Sequence, residues 1–574
     1  MCLRKISTSV IALLILILLI PAIIDVGALA DPGKPVHKKA ITVQPGEEVV
    51  VTDIVSGPPP QEAEATGLDA AGGKDRVLND GTVRAEAAAG TTASLRGAVA
   101  GAQSVGINGS GGKDSILNNG TLFSKATSTV TSLSLFVNID GFTLPFMRKF
   151  SPVTGGSLAE SFAAGILGGN GNDLLEHSGV MTVEATSTAA AGSINVNLTG
   201  NNEKVLSKAI PAVWAVKPPV MKADAPGKAA SEAVGIDGGR GDDRVVSTGA
   251  MTVKASATSG AGSLNLNLGN DARVNLSAEA TATASGIRAV EGKDEVVNQG
   301  ALTVEATATA GAGAVSVSYP TDRGIYGMPE KPPAKSRVQI PIFGVQGDLS
   351  GRATASATGI ESGAADMTIV NSGPIVSKAS ATAAAGSIAV GVGDSVEGSV
   401  AALSGAESRG IRSGDGSDVV LNSGEQTVEA KAIAGAGSLS VGVRNPEQTA
   451  DPSKAKADAS GTAESLAVGI ETGSGDDLIA STAAMSVKAS STVGAGSVAV
   501  GIGGGADSNV SAEAIARAAG IRGGDGNDSI RNEGSLIVDA ASIAGSGSIG
   551  VGVSGDDAGE SATAKTDASG KATA

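Results

Sequence analysis

The sequence predicts an all-β protein, a right-handed parallel β-helix (β-solenoid) of nine imperfect repeats of about 51 residues, with loop insertions on one edge. A Gly-hydrophobic pair and a glycine-rich corner ending in Asp recur along the chain, as at 235–243 and 520–528. Between corners, residues alternate with period two and are rich in Val, Ala, Thr and Ser, which is typical of strands. Because one such unit buries its apolar face only against its neighbours, the period predicts a stack.

The composition limits the core and the partners. Of 574 residues, 82 are Gly and only 2% are aromatic, so the core between facing strands is expected to be thin. Gly and β-branched residues are weak helix formers, which favours stacked sheets over a helical array. The formal charge of −16 argues against nucleic acid, which binds basic faces.

The first 30 residues predict export. Arg4 and Lys5 precede an apolar run from Val10 to Leu19, and residues 28–30 form the small-x-small pattern of a cleavage site. The alternative is an uncleaved N-terminal membrane anchor, and membrane contact is expected only through this segment. The only cysteine, Cys2, lies in it, so no disulfide is expected. These features predict an exported protein at the cell surface or outside the cell of a bacterium or archaeon.

These features divide the chain into three regions. Residues 1–30 are the signal or anchor, residues 31–62 a capping strand pair and Pro-rich linker, and residues 63–574 the solenoid. A cap is expected because an open sheet edge templates aggregation. No comparable cap closes the C-terminal end, so either this is a fragment or another subunit covers that end.

Within a unit, a long alternating strand follows each corner, and a second long strand leads to the next Gly-hydrophobic pair. A Gly-Ala-Gly-Ser segment, as at 260–263, interrupts the first strand and predicts a bulge or a close backbone approach. The insertions near 141–154, 201–228, 320–347 and 445–456 all fall between the two long strands. Insertions in a repeat array map to one face, often the binding face. The candidate partner-binding residues are the aromatic residues they carry: Phe142, Phe146, Phe150, Trp214, Tyr326 and Phe343.

The complete corners, such as GGNGND at 168–173 and GGDGND at 523–528, resemble half of the calcium-binding nonapeptide of RTX proteins. The resemblance implies Ca²⁺ held by stacked Gly carbonyls and Asp carboxylates. The ligands it implies are Asp173, Asp243, Asp418, Asp477 and Asp528, with Asp242 and Asp476 assisting. The alternative is structural: the glycines supply positive φ, and each Asp binds nearby backbone amides.

An Asn recurs two residues before a Gly in most units, as at Asn79, Asn371 and Asn422. Stacked turn asparagines bond to one another along such an axis, which predicts a structural ladder. His177 occupies the same place in its unit and is expected to substitute for Asn, not to act as a catalytic base.

The whole repeat, from the Gly-hydrophobic pair through the Asp corner to the alternating strand, recurs over residues 63–574. It is similar to passenger regions of bacterial autotransporters and haemagglutinin-like adhesins. The resemblance implies an adhesin-like surface protein whose loops bind a surface protein or a polysaccharide. One alternative is a self-assembling envelope, sheath or filament subunit that associates end to end. Another is a polysaccharide hydrolase or lyase using corner carboxylate pairs, although an active site is usually singular whereas these pairs recur evenly. We therefore predict no catalytic residues, and no cofactor other than Ca²⁺.

Overall fold

The structure is a computed structural model that describes residues 40–574, apart from 71, 94–96, 140–152, 155, 199–220, 269–271, 290, 320–344, 394, 445–453 and 554–562. The export segment and all six candidate aromatic residues of the insertions therefore lie outside the described residues. No helix in the described part of the chain is long and apolar enough to cross a membrane.

Of the residues that the structure describes, 82% are in strands, and these strands form three long parallel sheets, named A, B and C here. The strands of sheet A are short: β1 (Ala40–Val43), β5 (Arg76–Asn79), β9 (Ser115–Asn118), β13 (Leu174–His177), β16 (Arg244–Ser247), β19 (Glu295–Asn298), β22 (Thr368–Asn371), β25 (Val419–Asn422), β28 (Leu478–Ser481) and β31 (Ser529–Asn532). Sheet B holds β2 (Glu48–Gly57), β6 (Thr82–Ala93), β10 (Thr121–Ile139), β14 (Val180–Leu198), β17 (Ala250–Leu268), β20 (Leu302–Tyr319), β23 (Ile375–Gly393), β26 (Gln426–Arg444), β29 (Met485–Ile502) and β32 (Leu536–Val553).

Sheet C holds β3 (Gln61–Asp69), β7 (Ala98–Asn108), β12 (Ser157–Leu167), β15 (Met221–Asp237), β18 (Ala272–Ala289), β21 (Val345–Ser362), β24 (Val396–Arg412), β27 (Lys454–Glu471), β30 (Gly505–Arg522) and β33 (Ala564–Thr573). Three two-residue strands complete the set: β4 (Gly72–Gly73) pairs with β8 (Gly111–Gly112), and β11 (Val153–Thr154) pairs with β15.

Each repeat is one coil that visits the sheets in the order A, B, C and pairs in parallel with the coil before and after it. The prediction of a parallel β-helix is confirmed, and the topology is consistent with right-handed coiling. Because one repeat makes one layer, equivalent residues of successive coils are separated by one strand spacing, about 4.8 Å. Residues 40–57, placed by sequence in the cap, supply β1 and β2, so sheets A and B each have ten strands although nine repeats were predicted.

The core is thin, as the composition predicts. Large buried side chains such as Leu122, Met181 and Ile236 lie near sheet A, whereas Ala and Ser line most of the space between sheets B and C. Cα atoms of facing strands such as β21 and β23 approach within 8 Å. Ordinary sheets pack about 10 Å apart, so small side chains set this closer approach.

The Gly of each Gly-hydrophobic pair marks a local break in the pairing of sheet C. In β12 and β15 the register passes from Ala164–Val234 to Ile166–Ile236 and omits Gly165 and its partner. A Cβ on Gly165 would lie 2.4 Å from the Met181 sulfur and 2.5 Å from a carbonyl oxygen of the next coil. This glycine is therefore required by close packing at the break in pairing.

The Gly-Ala-Gly-Ser segments differ from their prediction. In β17 and β20, residues 260–263 pair with 311–314 one for one, so no bulge is present. The strands continue straight through the segment, and their glycines have another explanation, given below.

The four insertions identified in the sequence leave the same edge of the stack, where sheet B passes into sheet C, as does the connection 554–563 between β32 and β33. The four insertions connect β10 to β11, β14 to β15, β20 to β21 and β26 to β27. At the same edge, only residues 394–395 connect β23 to β24, and only 503–504 connect β29 to β30. Closing a coil therefore needs two residues, and the longer connections are additions to a uniform stack.

Candidate functional site

The corners between sheets C and A form a row of carboxylates, interrupted at one coil, which we name the inner Asp ladder. The Oδ1 atom of each member accepts a hydrogen bond from the backbone N–H at the same position of the preceding coil. Asp114 accepts from Asp75 at 2.8 Å, and Asp243 accepts from Asp173 at 2.7 Å. The remaining bonds join 114 to 173, 243 to 294, 367 to 418, 418 to 477 and 477 to 528. Glycines with positive φ, such as Gly171 at 141° and Gly241 at 125°, turn the corner, as the structural alternative predicted.

The second oxygen of these carboxyl groups is buried without a hydrogen-bond partner. This holds for Oδ2 of Asp75, Asp114, Asp173, Asp243, Asp294, Asp418 and Asp477 among the described residues. At Asp243 the oxygen lies against the corner backbone, where a Cβ on Gly238 would be only 2.9 Å away. A buried, unpaired carboxylate oxygen is costly when charged, so the neutral acid is favoured.

The pKa values follow this burial. Desolvation raises the pKa of Asp243 to about 7, opposed by the Asp173 amide and assisted by neighbouring carboxylates. Desolvation likewise raises the pKa of Asp294 and of Asp418 to about 6, the latter opposed chiefly by the Ser413 hydroxyl beside it. The pKa of Asp173 is also raised by burial. The four successive coils that carry Asp114, Asp173, Asp243 and Asp294 therefore stack carboxyl groups of raised pKa one strand apart.

Met367 interrupts the ladder. It occupies the inner position of its coil, is buried, and donates its own backbone N–H to Asp418 Oδ1. The amide of Asp294 meets only its thioether sulfur, at 3.3 Å. Asp366, the acid of this degenerate corner, lies outside and pairs with Lys293 at 3.0 Å. Lys293 therefore pairs with the acid of the next coil and not with Asp294, which follows it in sequence.

A second row of acids lies outside the inner ladder and is exposed. Asp242 Oδ1 accepts from the Lys293 amide at 3.0 Å, and Asp476 Oδ1 accepts from the Asn527 amide at 2.9 Å. The predicted ligands therefore separate into two rows: residues 173, 243, 418, 477 and 528 point inward, and residues 242 and 476 point outward. The sequence did not show that Asp75, Asp114 and Asp294, from degenerate corners, belong to the inner row as well.

The fit of these corners to Ca²⁺ is partial. The described residues contain no group of three or more His, Cys, Asp or Glu side chains arranged for a metal ion. Ca²⁺ takes six to eight oxygens, so an ion here would need one inner carboxylate per coil together with several backbone carbonyls. The unpaired Oδ2 atoms are the oxygens available to it.

The predicted Asn ladder is confirmed at the turn between sheets A and B. Asn298 donates to Asn371 at 2.8 Å, and Asn371 donates to Asn422 at 2.7 Å. His177 takes an Asn position, with Nδ1 3.0 Å from Asn118 Nδ2. Burial lowers the pKa of His177, so the ring is neutral near pH 7 and serves the ladder.

A third row was missed by sequence reasoning. One outward position of sheet B alternates in charge from coil to coil: Glu86, Lys125, Glu184, Lys254, Glu305, Lys378, Glu429, Lys488 and Asp539. Lys254 and Glu305 approach to 3.1 Å. Aligning the repeats would have revealed it, because each residue follows its corner at the same offset.

The fold and these rows define a parallel β-solenoid whose corner carboxylates mainly serve the backbone of neighbouring coils. No protein-family model, curated protein or solved structure matches this chain.

Proposed function

We propose that the chain is an exported, adhesin-like scaffold of the cell surface that presents its inserted loops to a surface protein or a polysaccharide. The observation that supports it is the location of the insertions: all four leave the one edge where sheet B passes into sheet C. A stack with a uniform cross-section holds such loops in one row. The likeness to autotransporter passengers and RTX proteins belongs to this proposal, as does export through residues 1–30.

The insertions are free to serve binding because the fold does not need them. Two residues close the coil at 394–395 and at 503–504, whereas residues 199–220 and 320–344 make longer connections at the same edge. Loops carried by a rigid scaffold are common binding elements. Aromatic residues, which the insertions hold and the strands mostly lack, are enriched at recognition sites.

A loop graft tests the proposal. Residues 199–220 are replaced by the Gly-Asn-Asp connection of 269–271, and binding is measured to a glycan array and to isolated cell envelopes. The control exchanges 394–395 for the Gly-Gly of 503–504, which alters the same edge without removing an insertion. We expect both variants to keep the circular dichroism of the parent and only the graft to lose binding. Equal binding by graft and parent, or no binding by the parent to either probe, would reject the proposal.

Export is tested separately. Residues 1–30 are fused to a phosphatase that is active only outside the cytoplasm, beside a control in which Arg4 and Lys5 are kept and the apolar run is deleted. Phosphatase activity is expected only for the intact segment. Activity in both fusions or in neither contradicts export by this segment.

Corner Ca²⁺ is a secondary part of the proposal, supported by the unpaired Oδ2 atoms of the inner Asp ladder. EDTA is expected to lower the melting temperature of the parent, and replacing Asp477 and Asp528 with Ala is expected to remove that effect. The absence of any melting shift in millimolar Ca²⁺ rejects Ca²⁺ binding and leaves the loop proposal intact.

A further inference from the structure

The outer face of sheet B carries a flat strip without side chains, which we name the glycine band. It has two columns of outward positions on seven successive strands, β14 to β32. One column is entirely glycine: Gly192, Gly262, Gly313, Gly386, Gly437, Gly496 and Gly547. The column beside it has Gly at five positions and Ala at 190 and 384.

A Cβ on Gly192 would lie 3.1 Å from the Leu133 side chain, but the other six glycines of this column have no close neighbour in the chain that requires them. A Cβ on Gly262, Gly313, Gly437 or Gly547 would meet no atom within 4 Å, and at Gly496 the nearest is a carbonyl oxygen at 3.8 Å. The corner glycines differ, since a Cβ on Gly171 would lie 1.3 Å from a carbonyl oxygen. Glycine inside a strand is less stabilising than Ala, so six in register without a close neighbour are an internal cost with no internal benefit.

An apolar ridge lies directly beside the band, toward the insertion edge. Its two columns are Ile194, Leu264, Val315, Ile388, Leu439, Val498 and Ile549, and Val196, Leu266, Val317, Val390, Val441, Val500 and Val551. These side chains point outward although they are large and apolar. Leu264 and Leu266 are each 37% exposed, while Ser263 before them and Asn265 between them are buried. The usual distribution of apolar and polar residues is thus inverted here.

We propose that this face pairs with the same face of a second copy of the chain, the ridge of each copy filling the glycine band of the other. Ridge and band are adjacent and equally wide. A two-fold axis that runs parallel to the stack, between ridge and band, therefore places the ridge of each copy over the glycine band of the other. A symmetric dimer requires such a self-complementary surface.

The contact area between the two copies is large enough for a stable dimer. Four outward positions span about 27 Å along each strand, and seven strands span about 34 Å along the stack. Pairing therefore buries about 900 Å² on each copy and about 1,800 Å² in total, within the range of stable interfaces. No position of the band or ridge is charged. In this arrangement the alternating Lys and Glu row stays outside the contact, and the insertion edges of the two copies lie on opposite sides.

Replacing glycines of the band with larger residues tests the pairing of the two copies without disturbing the coil. Gly313→Val with Gly437→Val fills the band, and because each Cβ has open space and Val favours strands, the coil is expected to fold as before. The control is Thr354→Val, an exposed outward position of sheet C. Sedimentation velocity at micromolar concentrations is expected to show a dimer for the parent and the control and a monomer for the band variant, an increase in Kd of at least about 100-fold.

A second variant, in the ridge, keeps the proposal testable if the band variant misfolds. Leu264→Ser with Leu266→Ser shortens the ridge and is also expected to give monomers with unchanged circular dichroism. A parent that is monomeric throughout, or a dimer that survives both variants, overturns the proposal. It is also overturned if the parent is monomeric and the face instead binds insoluble polysaccharide in a pull-down that the band variant abolishes.

Discussion

Replacing Asp243 with Asn is expected to remove a large loss of stability that the parent chain undergoes between about pH 4 and pH 7. Asp243 is 3% exposed, its Oδ1 accepts the Asp173 amide, and its Oδ2 is unpaired. Asn keeps an oxygen for that amide and carries no charge. The variant therefore resembles the protonated Asp243 at every pH.

The magnitude follows from the pKa. Burial raises the pKa of Asp243 from 3.8 to about 7, so the folded chain holds this proton more tightly than the unfolded chain. A group with a raised folded pKa contributes its full stability below the unfolded value of 3.8. That contribution is lost as the pH rises to about 7, and three pKa units correspond to about 4 kcal/mol. Parent and variant should match at about pH 4, and the variant should be more stable by roughly 4 kcal/mol at about pH 8.

Local opening of the coils around the Asp173–Asp243 hydrogen bond is the best measure of this stability, because a solenoid opens in sections. Hydrogen exchange followed by mass spectrometry of a peptide containing the Asp173 amide, at pH 4, 6 and 8 with correction for intrinsic rates, reports that opening. The control is Asp242→Asn, the exposed neighbour, which should keep the profile of the parent. Parallel profiles for parent and Asp243→Asn would refute the reasoning. Parent stability that rises with pH would show that the carboxylate is held in its charged form, as a bound cation would do.

Three further substitutions are expected to separate the remaining features, each measured by urea denaturation. Asn371→Ala removes the amide that bonds to Asn422 and should cost about 2–3 kcal/mol, because buried partners stay unsatisfied; a cost below about 0.5 kcal/mol contradicts the ladder. Gly165→Ala forces a Cβ toward the Met181 sulfur and should destabilise by more than about 1 kcal/mol; an unchanged midpoint contradicts the packing argument. Lys378→Glu places like charges on three adjoining coils but should cost only about 0.5–1 kcal/mol, decreasing with salt, because the pair is exposed; a salt-independent cost contradicts it.

The repeat made the fold predictable. Period-two alternation identified the long strands, and the positions of the insertions identified the edge where sheet B passes into sheet C. The Asn ladder was predictable as well, because a polar residue repeated at one place in a stack meets its own copies. His177 joined it for the same reason, since its ring nitrogen takes the place of the amide oxygen of an Asn.

The chemistry of the corner was less predictable, because the motif does not say which way a carboxylate points. Asp242 and Asp243 are adjacent in sequence, yet one is exposed and the other is 3% exposed. Alternation of side chains at the start of β16 separates them, and stacking then offers the inner Asp a backbone amide. In the degenerate corner Asp366 stands one residue before the inner position, which Met367 occupies instead.

Glycine in this chain answers three different physical needs, and only the geometry separates them. Gly171 needs a positive φ at the corner, and Gly165 needs the absence of a Cβ at a closely packed break in strand pairing. Gly313 has neither constraint, since its φ is ordinary strand and the space beside it is open. A residue that weakens a strand and relieves no internal contact must be explained by something outside the coil. An approaching surface supplies that explanation, because a strip without side chains is the receptor that a ridge of Leu, Ile and Val on a second copy would need.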